Sequence, residues 1–253
     1  MARLRGPHGC PWDRDQTFES LRAFLLEETH EVLDAIDRAD LGALRGEIGD
    51  LIFEGVFLAQ VAADAGAFTV ADSLRAINAK LIRRHPHIFD PDGRPLDTPG
   101  QVHQQWEQIK AQEQADRGER RSVLQGLARS LPSLLRAYEI GTRVAAVGFD
   151  WARTGDVLDK IEEEVAELRR AVAEEGRARS EEEMGDLLFA MANLSRKLGI
   201  DPESALRKAN EKFTARFDQM EDRLHAQGRS VHAATLDEME REWQEVKKGE
   251  MSG

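Results

Sequence analysis

The sequence is poor in cysteine and tyrosine, and it lacks long apolar runs. It contains one cysteine, Cys10, and one tyrosine. A single cysteine excludes an internal disulfide and a metal site made of cysteines alone, and it predicts a reducing compartment. No apolar run approaches the roughly 18–20 residues that span a bilayer, and the first ten residues do not resemble a signal peptide. We therefore expect a soluble, cytoplasmic protein without a membrane partner.

An excess of positive charge is also absent. The chain of 253 residues has 35 basic and 47 acidic side chains, which gives a net charge of −12. This balance argues against a surface built to grip a nucleic-acid backbone, so no nucleic-acid partner is expected. The length allows one large domain or two small ones, each able to bury a core.

The chain contains an internal repeat whose unit is about half as long as the chain, which predicts a duplicated domain. Residues 25–36 align with 161–172, 77–84 with 208–216, and 106–110 with 243–247. Four acidic residues recur 136 positions later (164 − 28, and likewise for the others). A polar stretch without apolar periodicity lies between the halves. We predict two domains, 1–113 and 123–253, joined by a linker at 114–122.

The spacing of apolar residues by three and four predicts helices almost throughout, and no alternating run competes. The predicted helices are 18–39, 43–65, 70–85, 132–147, 155–174, 180–198, 202–226 and 235–248. The predicted fold class is therefore all-α, with two tandem bundles of four to five helices. Broad apolar faces predict pairing with the other half or with another chain. Only eleven residues precede Trp12, so we expect either that the first module lacks the helix before Trp151 or that the sequence begins late.

Paired acids fall on the apolar side of these helices. At about 100° per residue, Glu28 and Glu31 project from the same stripe as Leu21 and Val32. A carboxylate on a core-facing stripe is costly unless it is paired or binds a cation, and four together repel one another. A hard divalent cation resolves the conflict, with Mg²⁺ the leading candidate and Mn²⁺ a substitute. The predicted metal ligands are Glu28, Glu31, Glu47 and Asp50, and in the second half Glu164, Glu167, Glu183 and Asp186.

Basic and aromatic residues recur beside the acids. Two basic residues four apart on a helix converge on one anion, which predicts phosphate ligands. A tryptophan followed one turn later by a lysine offers an indole that either stacks on a base or anchors a terminal helix to the core. The sequence leaves both roles open. These predicted substrate-binding residues are Lys80, Arg84, Trp106 and Lys110, and in the second half Lys212, Arg216, Trp243 and Lys247.

Two other motifs in the first half of the sequence do not recur in the second half. Glu27 and His30 have the spacing of half a di-iron site, but the second half carries Glu163 and Ala166 at these positions. His85 and His87 have no histidine counterparts in the second half, which favours structural roles for both.

Several motifs together resemble one known family. They are E-E-x-x-E followed by E-x-x-D in both halves, GCPWD (9–13), RRHPHIF (83–89), VGFDW (147–151), NEKF (210–213) and WQEVK (243–247). Over essentially the whole chain, the sequence is similar to the two-domain form of the MazG nucleoside triphosphate pyrophosphohydrolases. In this comparison the first module lacks most of the helix that usually precedes GCPWD.

This resemblance implies an all-α fold that dimerises. It also implies Mg²⁺-dependent hydrolysis of (d)NTPs to the monophosphate and diphosphate, with broad specificity and a house-cleaning role. The chemistry would be attack of a metal-activated water on the α-phosphorus, and either Glu163 or Glu164 would orient or deprotonate that water. The metal ligands carried over are Glu164, Glu167, Glu183 and Asp186, and the nucleotide contacts are Asn210, Lys212, Arg216, Trp243 and Lys247.

Two alternatives stay open at this point. One is a non-catalytic, nucleotide-sensing helical scaffold, which would bind nucleotide without turnover. The other keeps the enzyme class but narrows the substrate to dUTP or dCTP. Four acids exceed what nucleotide binding needs, which favours catalysis. Both halves carry the acids and cations, and we give the second half more weight because its helical set is complete.

Overall fold

The computed structural model describes residues 1–116 and 122–251, and within them all side chains except those at 99, 103, 104, 107, 110, 111, 114–116, 250 and 251. The chain divides into two compact units, Met1–Glu119 and Arg120–Gly253. The described residues form helices and turns and contain no strand, which confirms the all-α prediction.

The first unit contains six helices and the second contains five. In the first unit they are α1 (Pro11–Asp15), α2 (Phe18–Asp37), α3 (Leu41–Asp64), α4 (Val70–Arg84), α5 (Pro86–Phe89) and α6 (Pro99–Asp116). In the second unit they are α7 (Ser133–Ala145), α8 (Thr154–Arg170), α9 (Arg177–Leu198), α10 (Pro202–Ala226) and α11 (Leu236–Met251). One π-helical turn, Ala171–Glu175, continues α8 towards α9.

The eight predicted helices are present to within a few residues, and α6 is an additional one. Its last residues, 114–116, lie inside the segment predicted as a linker, and residues 117–121 of that segment lie outside the described residues. The two short helices α1 and α5 were not predicted either. Both begin at proline, which fits the first turn of a helix because its missing N–H has no partner there anyway.

Local side chains set several helix ends. The hydroxyl of Thr17 accepts from the backbone N–H of Ser20, whose own hydroxyl accepts from the N–H of Thr17, so α2 begins with a reciprocal cap. The carboxylate of Asp40 accepts from two N–H groups in the first turn of α3. In the second unit, Gly199 adopts a left-handed φ of 68° and ends α9, one of the two helices that carry the acids.

In the first unit, α2 packs along α3. Leu21, Phe57 and Val61 form the core cluster between the two helices. Trp12, from the GCPWD motif, lies edge-on to Phe24 and Phe57, with ring centroids 5.6 and 6.5 Å apart. The motif therefore closes one end of the α2–α3 pair and fixes the two helices that carry the first set of acids.

In the second unit, α8 and α7 both pack against α9, and α10 pairs with α11. Asp150, from the VGFDW motif, forms ion pairs with Arg196 and with Lys197 near the end of α9. A second core cluster joins α10 and α11 through Met220, Leu224 and Val246. The helix pair α8–α9 is thus held from the α7 side.

The contact between α7 and α9 depends on a glycine, which gives a stability prediction. A Cβ added at Gly141 would overlap the Oδ1 atom of Asn193. Asn193 is buried, and its amide donates to the carbonyl of Phe189 at 3.1 Å. Gly141→Ala should therefore lower the free energy of unfolding by about 1–2 kcal/mol despite the better helix propensity of alanine.

Urea unfolding followed by circular dichroism measures this effect. Gly155→Ala is the matched control, because a Cβ at Gly155 meets nothing within 4 Å. It should be neutral or slightly stabilising. Equal unfolding midpoints for the two variants would show that α7 does not pack closely on α9.

Candidate metal and nucleotide site

The first acid cluster lies between α2 and α3. Glu28, Glu47 and Asp50 each place one carboxylate oxygen within 4.8 Å of the others. Glu31 lies within hydrogen-bonding reach of Glu47. Two acids three residues apart on each helix, on facing sides, bring these groups together because i and i+3 share a helix face.

The second cluster repeats the arrangement between α8 and α9. Oxygens of Glu164, Glu167 and Glu183 lie within 4.8 Å of one another. Glu164 is 4% exposed and Glu183 is 1% exposed, whereas Asp186 is exposed at the rim. The π-helical turn returns the chain from α8 to α9, so the two acid-bearing faces meet within one short connection.

Burial and mutual repulsion act on the protonation of these acids. Partial burial raises the pKa of Glu28 above its ordinary value, and the surrounding carboxylates, first among them Glu31, raise it further. Partial removal from water also raises the pKa of Glu31. Burial raises the pKa of Glu183, and there the nearby Arg179 opposes the shift.

Both clusters fit a divalent cation. One buried carboxylate oxygen of Glu28 and one of Glu164 make no hydrogen bond within the described residues. Buried polar atoms normally find a partner, so such oxygens indicate a ligand site. The donors are all carboxylate oxygens, which suit a hard cation of the Mg²⁺ class. Each unit can therefore hold a metal between its paired helices.

Two cations beside the second cluster were not predicted from the sequence. The Nζ atom of Lys160 lies 2.8 Å from an oxygen of Glu164 and 2.8 Å from one of Glu163. Arg179 forms an ion pair with Glu183. The signal was present as spacing, because each cation stands four residues before its acid on one helix. Such pairs are common on charged helices, so the spacing alone did not distinguish these two.

The predicted phosphate and base ligands of the first unit lie on α4 and α6. Lys80 is exposed, whereas Arg84 pairs with Glu113, with its Nη2 atom 2.8 Å from a carboxylate oxygen. Trp106 is half-buried and lies edge-on to His85, with centroids 5.1 Å apart. The side chain of Lys110 is outside the described residues. Nucleotide contact by these residues stays a prediction.

The corresponding residues of the second unit lie on α10 and α11. Asn210 and Lys212 are exposed, and Arg216 is half-buried on the same helix. Trp243 packs against the α10–α11 core and lies 5.1 Å from Phe213, centroid to centroid. Lys247 is half-buried one turn beyond Trp243. The acids of the second unit lie on α8 and α9. That these acids and the residues on α10 and α11 act on one nucleotide stays a prediction.

The histidines of the RRHPHIF motif make local hydrogen bonds. Nδ1 of His85 lies 2.7 Å from the carbonyl of Leu81, to which it can donate. The amide of Gln105 lies 2.9 Å from Nδ1 of His87, to which it can donate. The first contact lies at the junction of α4 and α5, and the second joins α5 to α6, which is consistent with the structural roles predicted for both histidines.

The pair between Arg84 and Glu113 predicts a pH-dependent stability. Hydrogen bonds from Arg84, then from Arg83, hold the pKa of Glu113 at about 2, below its ordinary 4.5. The folded state thus binds the proton less readily than the unfolded state, so this contribution is complete above pH 4.5 and fades as the pH falls towards 2. Glu113→Gln should lose about 1–2 kcal/mol at pH 7 after allowance for solvent screening.

The measurement is the free energy of unfolding of wild type and Glu113→Gln between pH 3 and pH 7. The difference between them should narrow as the pH falls. Glu245→Gln removes a surface pair with Lys248 whose side chains are 50% and 66% exposed, and it should leave the free energy of unfolding nearly unchanged throughout. A constant difference between wild type and Glu113→Gln at all pH values would contradict the assignment.

Comparison with known proteins gives one consistent result. The MazG nucleotide pyrophosphohydrolase domain matches residues 16–89 and 155–220. The chain is 48% identical over 256 residues to the nucleoside triphosphate pyrophosphohydrolase of Escherichia coli K12, covering 99% of this chain and 95% of that protein. It is 44% identical over 251 residues to the nucleoside triphosphate pyrophosphohydrolase/pyrophosphatase MazG of Thermotoga maritima, covering 99% and 94%. It also matches half of the YabN protein of Bacillus subtilis, at 37% identity over 251 residues.

Proposed function

Because the chain belongs to the MazG nucleotide pyrophosphohydrolase family, we propose that it hydrolyses nucleoside triphosphates to the monophosphate and diphosphate. The observation that carries this proposal is the second acid cluster. It places the buried carboxylates of Glu164 and Glu183 between two packed helices, with oxygens of Glu164, Glu167 and Glu183 within 4.8 Å of one another. Burying several carboxylates together costs free energy, and a protein that only binds nucleotide does not need them. Hydrolysis of a triphosphate does need them, because the carboxylates hold a metal against the phosphates.

Mg²⁺ is the proposed cofactor, with Mn²⁺ as a substitute. Glu164, Glu167, Glu183 and Asp186 would hold it in the second unit, and Glu28, Glu31, Glu47 and Asp50 in the first. When bound, the ion supplies Lewis-acid polarisation of phosphate oxygens and favours ionisation of water. All-oxygen donor sets of this kind suit Mg²⁺, which keeps some water in its shell and accepts phosphate oxygens.

The protein's own groups supply proton transfer and charge compensation. Glu164 belongs to the cluster, which suits a metal ligand, whereas its neighbour Glu163 is exposed and pairs with Lys160. Glu163 is therefore the better candidate to accept the proton of the attacking water. Lys212 and Arg216 would offset the charge that develops on the diphosphate leaving group.

The identity of the first product tests the reaction. Protein, Mg²⁺ and a nucleoside triphosphate should yield no orthophosphate until inorganic pyrophosphatase is added, and then two orthophosphates for each monophosphate. Inorganic pyrophosphatase with nucleotide alone is the control. Saturable nucleotide binding without diphosphate release in Mg²⁺ or Mn²⁺ would favour the nucleotide-sensing scaffold instead.

Broad specificity and a house-cleaning role are part of the same proposal. The predicted base contact is a tryptophan, and stacking on an indole tolerates any base because every base has a π-face. A panel of the standard ribo- and deoxyribonucleotides should show turnover of all within a narrow range. Turnover confined to dUTP or dCTP would establish the narrower enzyme.

We also propose that the protein is a homodimer. Large apolar side chains are exposed at equivalent positions of α3 and α9: Ile48, Ile52 and Phe53, and Met184, Leu188 and Phe189. Soluble monomers rarely leave such rows uncovered on a helix. A face that recurs on both units suits pairing with a second copy, because two-fold association joins like surfaces.

The cytoplasm is the proposed location. Across the residues that the structure describes, no helix is both long and apolar enough to cross a bilayer. The single cysteine suits a reducing compartment. The net charge of −12 supports the proposal that the protein acts on free nucleotides rather than on nucleic acid.

A further inference from the structure

The two acid clusters differ in the cations that stand beside them. In the second unit, Lys160 reaches Glu164 from one turn earlier on α8, and Arg179 reaches Glu183 from one turn earlier on α9. A third cation, Arg170, lies 3.7 Å from Glu167. Each of the three acids that share the second cluster therefore has a basic partner within the same unit.

In the first unit the equivalent positions carry no positive charge. Phe24 stands where the second unit has Lys160, Ala43 where it has Arg179, and Asp34 where it has Arg170. Phe24 packs against the α2–α3 core. Among the residues of 1–116 whose side chains the structure describes, no lysine or arginine forms an ion pair with the four acids of the first cluster. The first cluster thus lacks the basic partners that the second cluster has.

This difference decides how each cluster is neutralised before a nucleotide binds. The carboxylates of Glu28, Glu47 and Asp50 lie close together and repel one another, and a cation from solution relieves that repulsion. Around Glu183 the guanidinium of Arg179 already offsets part of the same repulsion. Lys160 and Arg179 repel a metal ion that approaches the second cluster, because all three carry positive charge.

From this we infer that the first cluster binds a divalent cation without nucleotide. In the second cluster, Lys160 and Arg179 lower the affinity for the free cation until an anionic nucleotide binds and these two side chains turn to it. The inference rests on the metal role given to the clusters in the proposed function. One positive charge about 6 Å from a divalent ion weakens the binding of that ion about tenfold even at the dielectric constant of bulk water, and by more at a protein surface. The first cluster should therefore bind the free ion at least tenfold more tightly than the second.

Titration of the full-length protein with Mn²⁺ in the absence of nucleotide tests the inference. Free Mn²⁺ is followed by electron paramagnetic resonance and the heat of binding by calorimetry. Wild type should show two classes of site separated by tenfold or more. Glu47→Gln should remove the tighter class, and Glu183→Gln should remove the weaker one while leaving the tighter class unchanged.

An exchange of residues between the units makes the test reciprocal. Arg179→Ala should tighten the weaker class about tenfold, and Ala43→Arg should weaken the tighter class by a similar factor. Arg177→Ala, which removes an equal charge two residues away, and Ala76→Arg, which adds one on exposed α4, are the controls and should shift neither class by more than about twofold. Circular dichroism of each variant confirms folding.

Equal affinities in wild type, loss of the tighter class in Glu183→Gln, or an unchanged weaker class in Arg179→Ala would each overturn the inference. Absence of Mn²⁺ binding to the wild type without nucleotide would overturn it as well. Diphosphate release is assayed on the same samples. Release with two equal sites contradicts only this inference, whereas ordered metal binding without any release contradicts the proposed function.

Discussion

The Glu183→Gln protein should release diphosphate from a nucleoside triphosphate about 10³-fold more slowly than wild type. Glu183 is the most buried acid of the second cluster, and the amide keeps its shape while removing the charge that a metal ligand supplies. Loss of a few kcal/mol of transition-state stabilisation by a bound metal corresponds to two or three orders of magnitude in rate. The measurement is kcat from initial rates of diphosphate formation at saturating Mg²⁺.

The same variant should be at least as stable as wild type. Because burial and like charges raise the pKa of Glu183, the folded state disfavours its carboxylate, and a neutral amide relieves that repulsion. Urea unfolding at pH 7 separates loss of catalysis from loss of fold. Glu181→Gln, an exposed acid two residues earlier, is the matched control and should retain activity within about twofold. Wild-type turnover by Glu183→Gln would remove this cluster from the mechanism.

Parallel assays of Glu31→Ala and Glu167→Ala show how the two units share the activity. Both residues occupy the same position of the repeat, so the chemical change is identical. We expect the greater loss from Glu167→Ala, because among the described residues an α7-type helix packs against the acid-bearing pair in the second unit and not in the first. A greater loss from Glu31→Ala would assign turnover to the first unit.

Leu188→Glu should weaken self-association by about 100-fold. Leu188 is 48% exposed near the middle of the apolar row on α9, and a charge buried without a partner in such an interface costs about 3 kcal/mol. Wild type should sediment as a dimer of the 28.4 kDa chain at micromolar concentration, and the variant as a monomer. Sedimentation velocity at several concentrations gives both states.

Leu236→Glu is the control for this second effect. Leu236 is 75% exposed at the start of α11, a helix that carries neither apolar row, and its replacement should leave the sedimentation profile unchanged. Ile52→Glu tests the equivalent row of the first unit. A monomeric wild type at tens of micromolar would refute dimerisation, and the exposed rows would then need another explanation.

The helices that were predicted correctly have a periodic apolar stripe and recognisable residues at their ends. α2 has an apolar stripe and a threonine cap, and α9 ends at a glycine that tolerates a left-handed backbone. In contrast, α6 begins at a Pro-Gly pair and is rich in glutamine, so its apolar stripe is weak. Its position depends on contacts with α4 and α5 that are distant in sequence, such as Trp106 with His85.

The acid clusters could be predicted because helical angles are a local property and the repeat doubled the observation. The angles placed Glu28 and Glu31 on one stripe, and the structure brings Glu28 to Glu47 and Asp50. Pairing of Lys160 with Glu164 was not foreseen, since many similar spacings occur on charged helices. The partner of Arg84 was not foreseen either, because Glu113 is separated from it by 29 residues.

The edge-on contact between Trp106 and His85 has a practical consequence. The emission of an indole depends on the groups that pack against it, so docking of α6 against α4 can be followed by tryptophan fluorescence without any label. Trp243 has Phe213 as its neighbour instead. The part of the emission that changes in His85→Phe therefore reports on the first unit.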